Sequence, residues 1–155
     1  MNHKNMKKLY LTTALLFVAI ASSWACTNLI VGKKASADGS TIVSYSADSY
    51  GMFGDLYHSP AAVYPKGAKL DIYNWEDNRF MGTIAQAKQT YNVIGNINEY
   101  QVTIAETTFG GRPELVDTTG IIDYGSLIRL GLQRSKTAKE AIKVMTNLVQ
   151  EYGYA

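Results

Sequence analysis

The chain has 155 residues, 46% apolar and 11% aromatic, enough to bury a core in one domain and unlike a disordered polymer. Its formal charge of +2 is misleading: Lys4, Lys7 and Lys8 precede Cys26 and no acid does, so from Cys26 onward twelve basic residues face thirteen acidic ones, a balance of −1. No basic cluster survives there, which excludes the electrostatic footprint of a nucleic-acid binder.

Residues 1–25 have the three parts of a secretory signal: a basic start, an apolar segment from Leu9 to Ala21, and small residues before a cut, with Ser23 and Ala25 at the −3 and −1 positions. The apolar segment falls short of the roughly 20 residues that a spanning helix needs. The expected organisation is a signal peptide over 1–25 and a mature unit over 26–155, exported to the periplasm or the exterior and keeping no membrane span after cleavage.

The mature part opens on the only cysteine of the sequence, Cys26. One cysteine makes no internal disulfide, so in an exported chain it points to an intermolecular bond or to a thiol kept for reactivity. Thr27 to Gly32 is short, apolar and β-branched, Lys33 to Gly39 is polar and ends in an Asp-Gly pair, and Ser40 to Ser46 again reads as a strand. A hairpin with a long loop over 26–46 is predicted, and its register carries Asp48 back toward the start of the first strand.

From Ala47 to Gln89 the period is weak, and loops with short strands are expected. Tyr91 to Gly95 and Tyr100 to Glu106 predict a second hairpin turning over Asn96 to Glu99. The period then changes. Asp123 is placed to cap a helix containing Leu127, Ile128, Leu130 and Leu132, and Thr137 with Glu140 forms a capping box ahead of Ala141, Ile142, Met145, Leu148 and Val149, whose three-four spacing gives one buried face. Strands followed by helices predict an α+β fold.

Cleavage after Ala25 places a thiol and an α-amine on the same residue, Cys26. Their reference pKa values, about 8.5 and 7.7–8.0, lie close enough for the amine to take the thiol proton. Such a nucleophile attacks a carbonyl and forms an acyl-enzyme that water releases, which is amide hydrolysis. Two other readings of Cys26 stand beside it: a lipid-modified cysteine after a signal cut, and a small buried hydrophobe at a strand start. Ser23 and Trp24 are poor residues for the lipid signal. After signal removal His58 is the only histidine, and one Cys with one His offers no zinc spacing, so neither metal nor cofactor is expected. Asp48 is a candidate to orient the α-ammonium, or else a loop aspartate in a turn.

Cys26-Thr27, the run Val31-Gly32-Lys33-Lys34-Ala35-Ser36, Asp38-Gly39-Ser40-Thr41-Ile42 and Asp48-Ser49 resemble the N-terminus of the PepD-like dipeptidases, N-terminal-nucleophile hydrolases related to choloylglycine (bile-salt) hydrolases and penicillin V acylases. A second block, Asn98-Glu99-Tyr100-Gln101-Val102 running to Glu106-Thr107-Thr108-Phe109, resembles the family's Asn-Glu-x-Gln-Val segment. The resemblance implies a thiol nucleophile at Cys26, an aspartate at Asp48 holding its amine, Thr108 where related acylases place an oxyanion-hole asparagine, and dipeptides or short peptides as substrates. It departs at Tyr45, where relatives carry an arginine beside the thiol; a phenol supplies no permanent positive charge. Family members are longer, with strands completing an αββα sandwich. The resemblance therefore implies the N-terminal portion of that fold, in a fragment, a truncated reading frame or one piece of a processed enzyme. Such a half exposes a sheet face and leaves a homo-oligomer open. A lipid-anchored non-catalytic domain and an inactive truncated paralogue are the alternative readings.

Overall fold

The computed structural model describes residues 26–48, 54–107 and 111–155; the expected signal segment and Thr108 lie outside them. The fold is mixed α/β, compatible with α+β: nine short strands in four small antiparallel sheets and two α-helices, among the described residues.

The first hairpin forms as expected, β1 (Thr27–Val31) against β2 (Ile42–Ser46), with Thr27 opposite Ser46 and Val31 opposite Ile42. Asp38 closes its loop, accepting from Ser40 N at 3.0 Å, while Gly39 takes the left-handed backbone (φ 75°) that the Asp-Gly pair foretells. Leu29, Ile30 and Ile42 are exposed, so the hairpin leaves much of its apolar surface uncovered.

The segment read as loops holds more regular structure than its period indicates. After β3 (His58–Ser59) and β4 (Ala62–Val63), β5 (Lys69–Tyr73) pairs with β6 (Phe80–Ala85). Leu70 and Ile72 point inward from β5 and Ile84 from β6, but a register shift between Ile72 and Tyr73 and Gly82 within β6 break the alternation that sequence reading relies on. β7 (Gln89–Thr90) pairs with β4.

The second hairpin is displaced from its predicted position. β8 (Val93–Ile94) turns directly through Gly95 and Asn96 into β9 (Ile97–Asn98), with Val93 opposite Asn98. Of Tyr100 to Glu106, expected as its second strand, Tyr100 lies in a turn and Gln101 takes left-handed backbone (φ 63°), while the rest is joined to β9 by one bridge, Thr103 to Ile97. The cause is Asn98, whose buried side chain substitutes for strand pairing: Oδ1 accepts from Tyr100 N and Val102 N at 3.0 Å each, and Nδ2 donates to Leu132 O at 2.8 Å and Ser135 O at 2.7 Å.

Both helices start where their caps are written. Asp123 Oδ1 accepts from Ser126 N at 2.7 Å at the head of α1 (Tyr124–Gln133), and Thr137 Oγ1 accepts from Glu140 N at 3.2 Å at the head of α2 (Ala138–Tyr152). Glu140 reaches back to Lys136 N, completing the capping box one residue early. The core forms around α1. Leu130 packs with Ile72, Ile84, Ile122 and Leu148, while Ile128 and Leu132 pack with Val93, Val102 and Ala141. Each fully buried Leu or Ile contributes about 1.5–3 kcal/mol over an exposed one, so α1 is the element the others are built on. Of the stripe expected on α2, Ala141 and Leu148 are buried and Ile142 is exposed. No helix among the described residues is long and apolar enough to cross a membrane.

Candidate active site

The β1–β2 register places Cys26, at the head of β1, on the same face as Asn28 and Tyr45, because alternate residues of paired strands share a face. Asp48 comes back to the head of β1 as expected: it accepts from Thr27 Oγ1 at 2.7 Å and from Ser46 Oγ at 3.0 Å. Its two oxygens are thus fixed beside the residue that follows Cys26.

The other half of the site is the segment after Asn98. Asn96 Nδ2 donates to Ile104 O at 2.8 Å and Ile104 N to Asn96 O at 3.1 Å, holding 102–106 extended and delivering Glu106 to the hairpin. There Asn28 Nδ2 donates to Glu106 O at 2.6 Å, Tyr45 Oη donates to Glu106 Oε1 at 2.9 Å, and Thr107 Oγ1 donates to Cys26 O at 3.4 Å. The Asn98 to Thr107 block therefore has a physical function in its first residues and contacts with Cys26 and its strand in its last. Sequence reading noticed Tyr45 only as a departure and missed its partner Glu106; the residues are 61 positions apart and no local pattern joins them.

The electrostatics around Cys26 are those of phenols and carboxylates. Burial, then the hydrogen bond and charge of Glu106, then Cys26 itself hold the Tyr45 phenol well above its ordinary value. Tyr124, the first residue of α1, is pushed up to about 12 by burial and by the charges of Glu76, Glu106, Asp123 and Cys26. Both phenols remain protonated at neutral pH and can donate hydrogen bonds toward developing negative charge. His58 lies elsewhere, its Nε2 3.4 Å from Asn92 Oδ1. Among the described residues no group of three His, Cys, Asp or Glu side chains is placed to hold a metal ion.

Chemically, the site brings together a thiol at a strand head, a carboxylate fixed beside the next residue, Thr27, and two protonated phenols. The model of peptidase family C69 matches residues 25–60 and 54–155. A probable dipeptidase of Salmonella dublin is 25% identical over 170 aligned residues, covering 96% of this chain and 37% of that protein. A probable dipeptidase of Latilactobacillus sakei is 27% identical over 151 residues, covering 84% of this chain and 31% of that protein. The chain thus spans about a third of the length of these curated relatives. No solved structure matches it. By the family match, which takes in nearly all of the chain from residue 25 onward, this protein belongs to peptidase family C69.

Proposed function

We propose that the chain is the nucleophile-bearing portion of an exported cysteine dipeptidase, built as the N-terminal part of an αββα N-terminal-nucleophile hydrolase. Cleavage after Ala25 would leave Cys26 with its own α-amine. The amine takes the thiol proton, Sγ attacks the peptide carbonyl, the C–N bond breaks, and the departing amine takes the proton back. Water then attacks the thioester and releases the acid. Asp48 is the counter-charge for the α-ammonium formed in the first step, and a neutral phenol, Tyr45 or Tyr124, is a donor toward the developing oxyanion.

The observation that carries this reading is the fixed position of Asp48, returned by the hairpin register to the head of β1 and held there by Thr27 and Ser46. The family match, which begins at residue 25, and the dipeptidase names of two relatives support it. Mass spectrometry of the exported protein is expected to find Cys26 as the first residue. Hydrolysis of dipeptides should be lost in Cys26→Ala and reduced about 10²-fold or more in Asp48→Ala, the range typical of a group that assists proton transfer. An active protein that retains residues ahead of Cys26 would refute the mechanism.

A further inference from the structure

A second concave surface lies along the outer side of α1, formed by the β5–β6 hairpin, its turn and the helix. It is a groove of about 340 Å³, within the size range of small-molecule sites, with Leu70 and Ile72 in its apolar part and Asn74, Trp75, Asn78 and Arg129 among its polar and aromatic lining. Arg129 is the odd residue in it. From Gly125 to Gln133 every other position of α1 is buried or half-buried, and Arg129 alone is exposed. Among the described residues the ion pairs are Arg79 with Asp77 and Arg112 with Glu114; Arg129 is in neither and donates to no described acceptor. The one acid lining the groove, Asp71, is engaged by Thr83 Oγ1 at 2.7 Å.

The wall beside this guanidinium is aromatic and fixed. Trp75 N donates to Asp123 Oδ2, the second oxygen of the residue that caps α1, and the root of the indole side chain packs on Gly125, where an added Cβ would stand 2.4 Å from its Cγ. Tyr57 packs on Trp75 with ring centroids 5.6 Å apart, close enough to Arg129 for its charge to act on the phenol. Asn74, which also lines the groove, commits its Oδ1 to the turn, accepting from Glu76 N and Asp77 N. A planar fork with no acceptor among the described residues, set between apolar and aromatic walls, is the chemistry that recognises a carboxylate attached to an apolar group.

We propose that this groove binds the terminal carboxylate of a short peptide or amino acid, with Arg129 as the carboxylate-binding residue and Trp75 as the wall for the adjoining side chain. The choice of ligand rests on the dipeptidase reading; the groove and its cation do not. A protein carrying Trp24→Phe and Cys26→Ala has Trp75 as its only tryptophan and no thiol for turnover. Titrated with a dipeptide ending in leucine, its fluorescence should change saturably. The same dipeptide as its C-terminal amide should bind about tenfold more weakly or worse, as expected for loss of a charge-assisted pair. Arg129→Ala should abolish the discrimination and Arg129→Lys should retain part of it, with unchanged circular dichroism because the side chain is exposed. Free leucine binding as tightly as the dipeptide would identify the released amino acid as the ligand within the same proposal. Absence of saturable binding, equal affinity for acid and amide, equal saturation by acetate or phosphate, or discrimination surviving Arg129→Ala would each overturn it. Cys26→Ala hydrolysis tests the nucleophile alone, so either idea can fail with the other standing.

Discussion

Replacing Asn98 by alanine removes four hydrogen bonds at one stroke: two donated by Nδ2 to Leu132 O and Ser135 O, and two accepted by Oδ1 from Tyr100 N and Val102 N. The side chain is 4% exposed, so water cannot readily reach the groups left behind. At about 1 kcal/mol for each bond, and with buried backbone groups left unsatisfied, the cost is roughly 3–5 kcal/mol. That is a large share of the 5–15 kcal/mol typical of a folded domain. Urea denaturation followed by circular dichroism should show the midpoint falling by about 2 M at unchanged slope, taking a slope near 2 kcal/mol per M. Asn98→Asp separates the two halves of the argument. Its carboxylate keeps the acceptor but opposes two carbonyl oxygens, so its folded-state pKa is raised. The protonated form, which can donate to one of them, stabilises at low pH, and that stability is lost as pH rises through the folded pKa. A loss below about 1 kcal/mol in Asn98→Ala, the size of an ordinary surface change, would refute the account of this residue as the substitute for a strand ladder.

Two further outcomes follow from contacts already described. Gly125→Ala puts a methyl into the Trp75 ring, which cannot yield like the tip of a flexible chain; a loss of about 1–3 kcal/mol is expected, with altered near-ultraviolet circular dichroism from the displaced indole, and an unchanged spectrum and melting curve would contradict the packing. Alkaline titration should destabilise the protein between pH 10.0 and about 12, because an unfolded tyrosine gives up its proton near 10 while Tyr124 holds its proton to about 12, so the contribution is intact below pH 10 and fades as pH climbs through the folded value. Tyr124→Phe should flatten that decline, as read from circular dichroism against tyrosinate absorbance; an identical slope in the variant would dispose of the assignment.

What the sequence discloses here depends on the range of the interaction. The caps at Asp123 and Thr137 are codes written within three residues, and both helices begin where those codes place them. The Asp-Gly loop and β-branched flanks likewise yield the first hairpin and the return of Asp48. The β5–β6 pair is hidden in the sequence because its bulge and Gly82 interrupt the alternation, and Tyr100 to Glu106 resembles a paired strand because its residues favour extended chain whether or not a partner is present. The contact of Tyr45 with Glu106, and that of Asn28 with the same residue across 78 positions, join segments that no local period relates. For this reason the aspartate of the candidate site was legible and the glutamate was not.

The first hairpin has a mechanical consequence. Hydrogen bonds tie it to the rest of the described chain at Glu106 and, through Thr107, at Cys26 O, while Leu29, Ile30 and Ile42 gain little from burial. It is therefore stabilised largely by its own ladder and joined to the helical core through the strap that carries Glu106 and Thr107. Amide exchange in β1 and β2 should proceed by a local opening that leaves α1 protected, so the strand headed by Cys26 can shift without unfolding the protein.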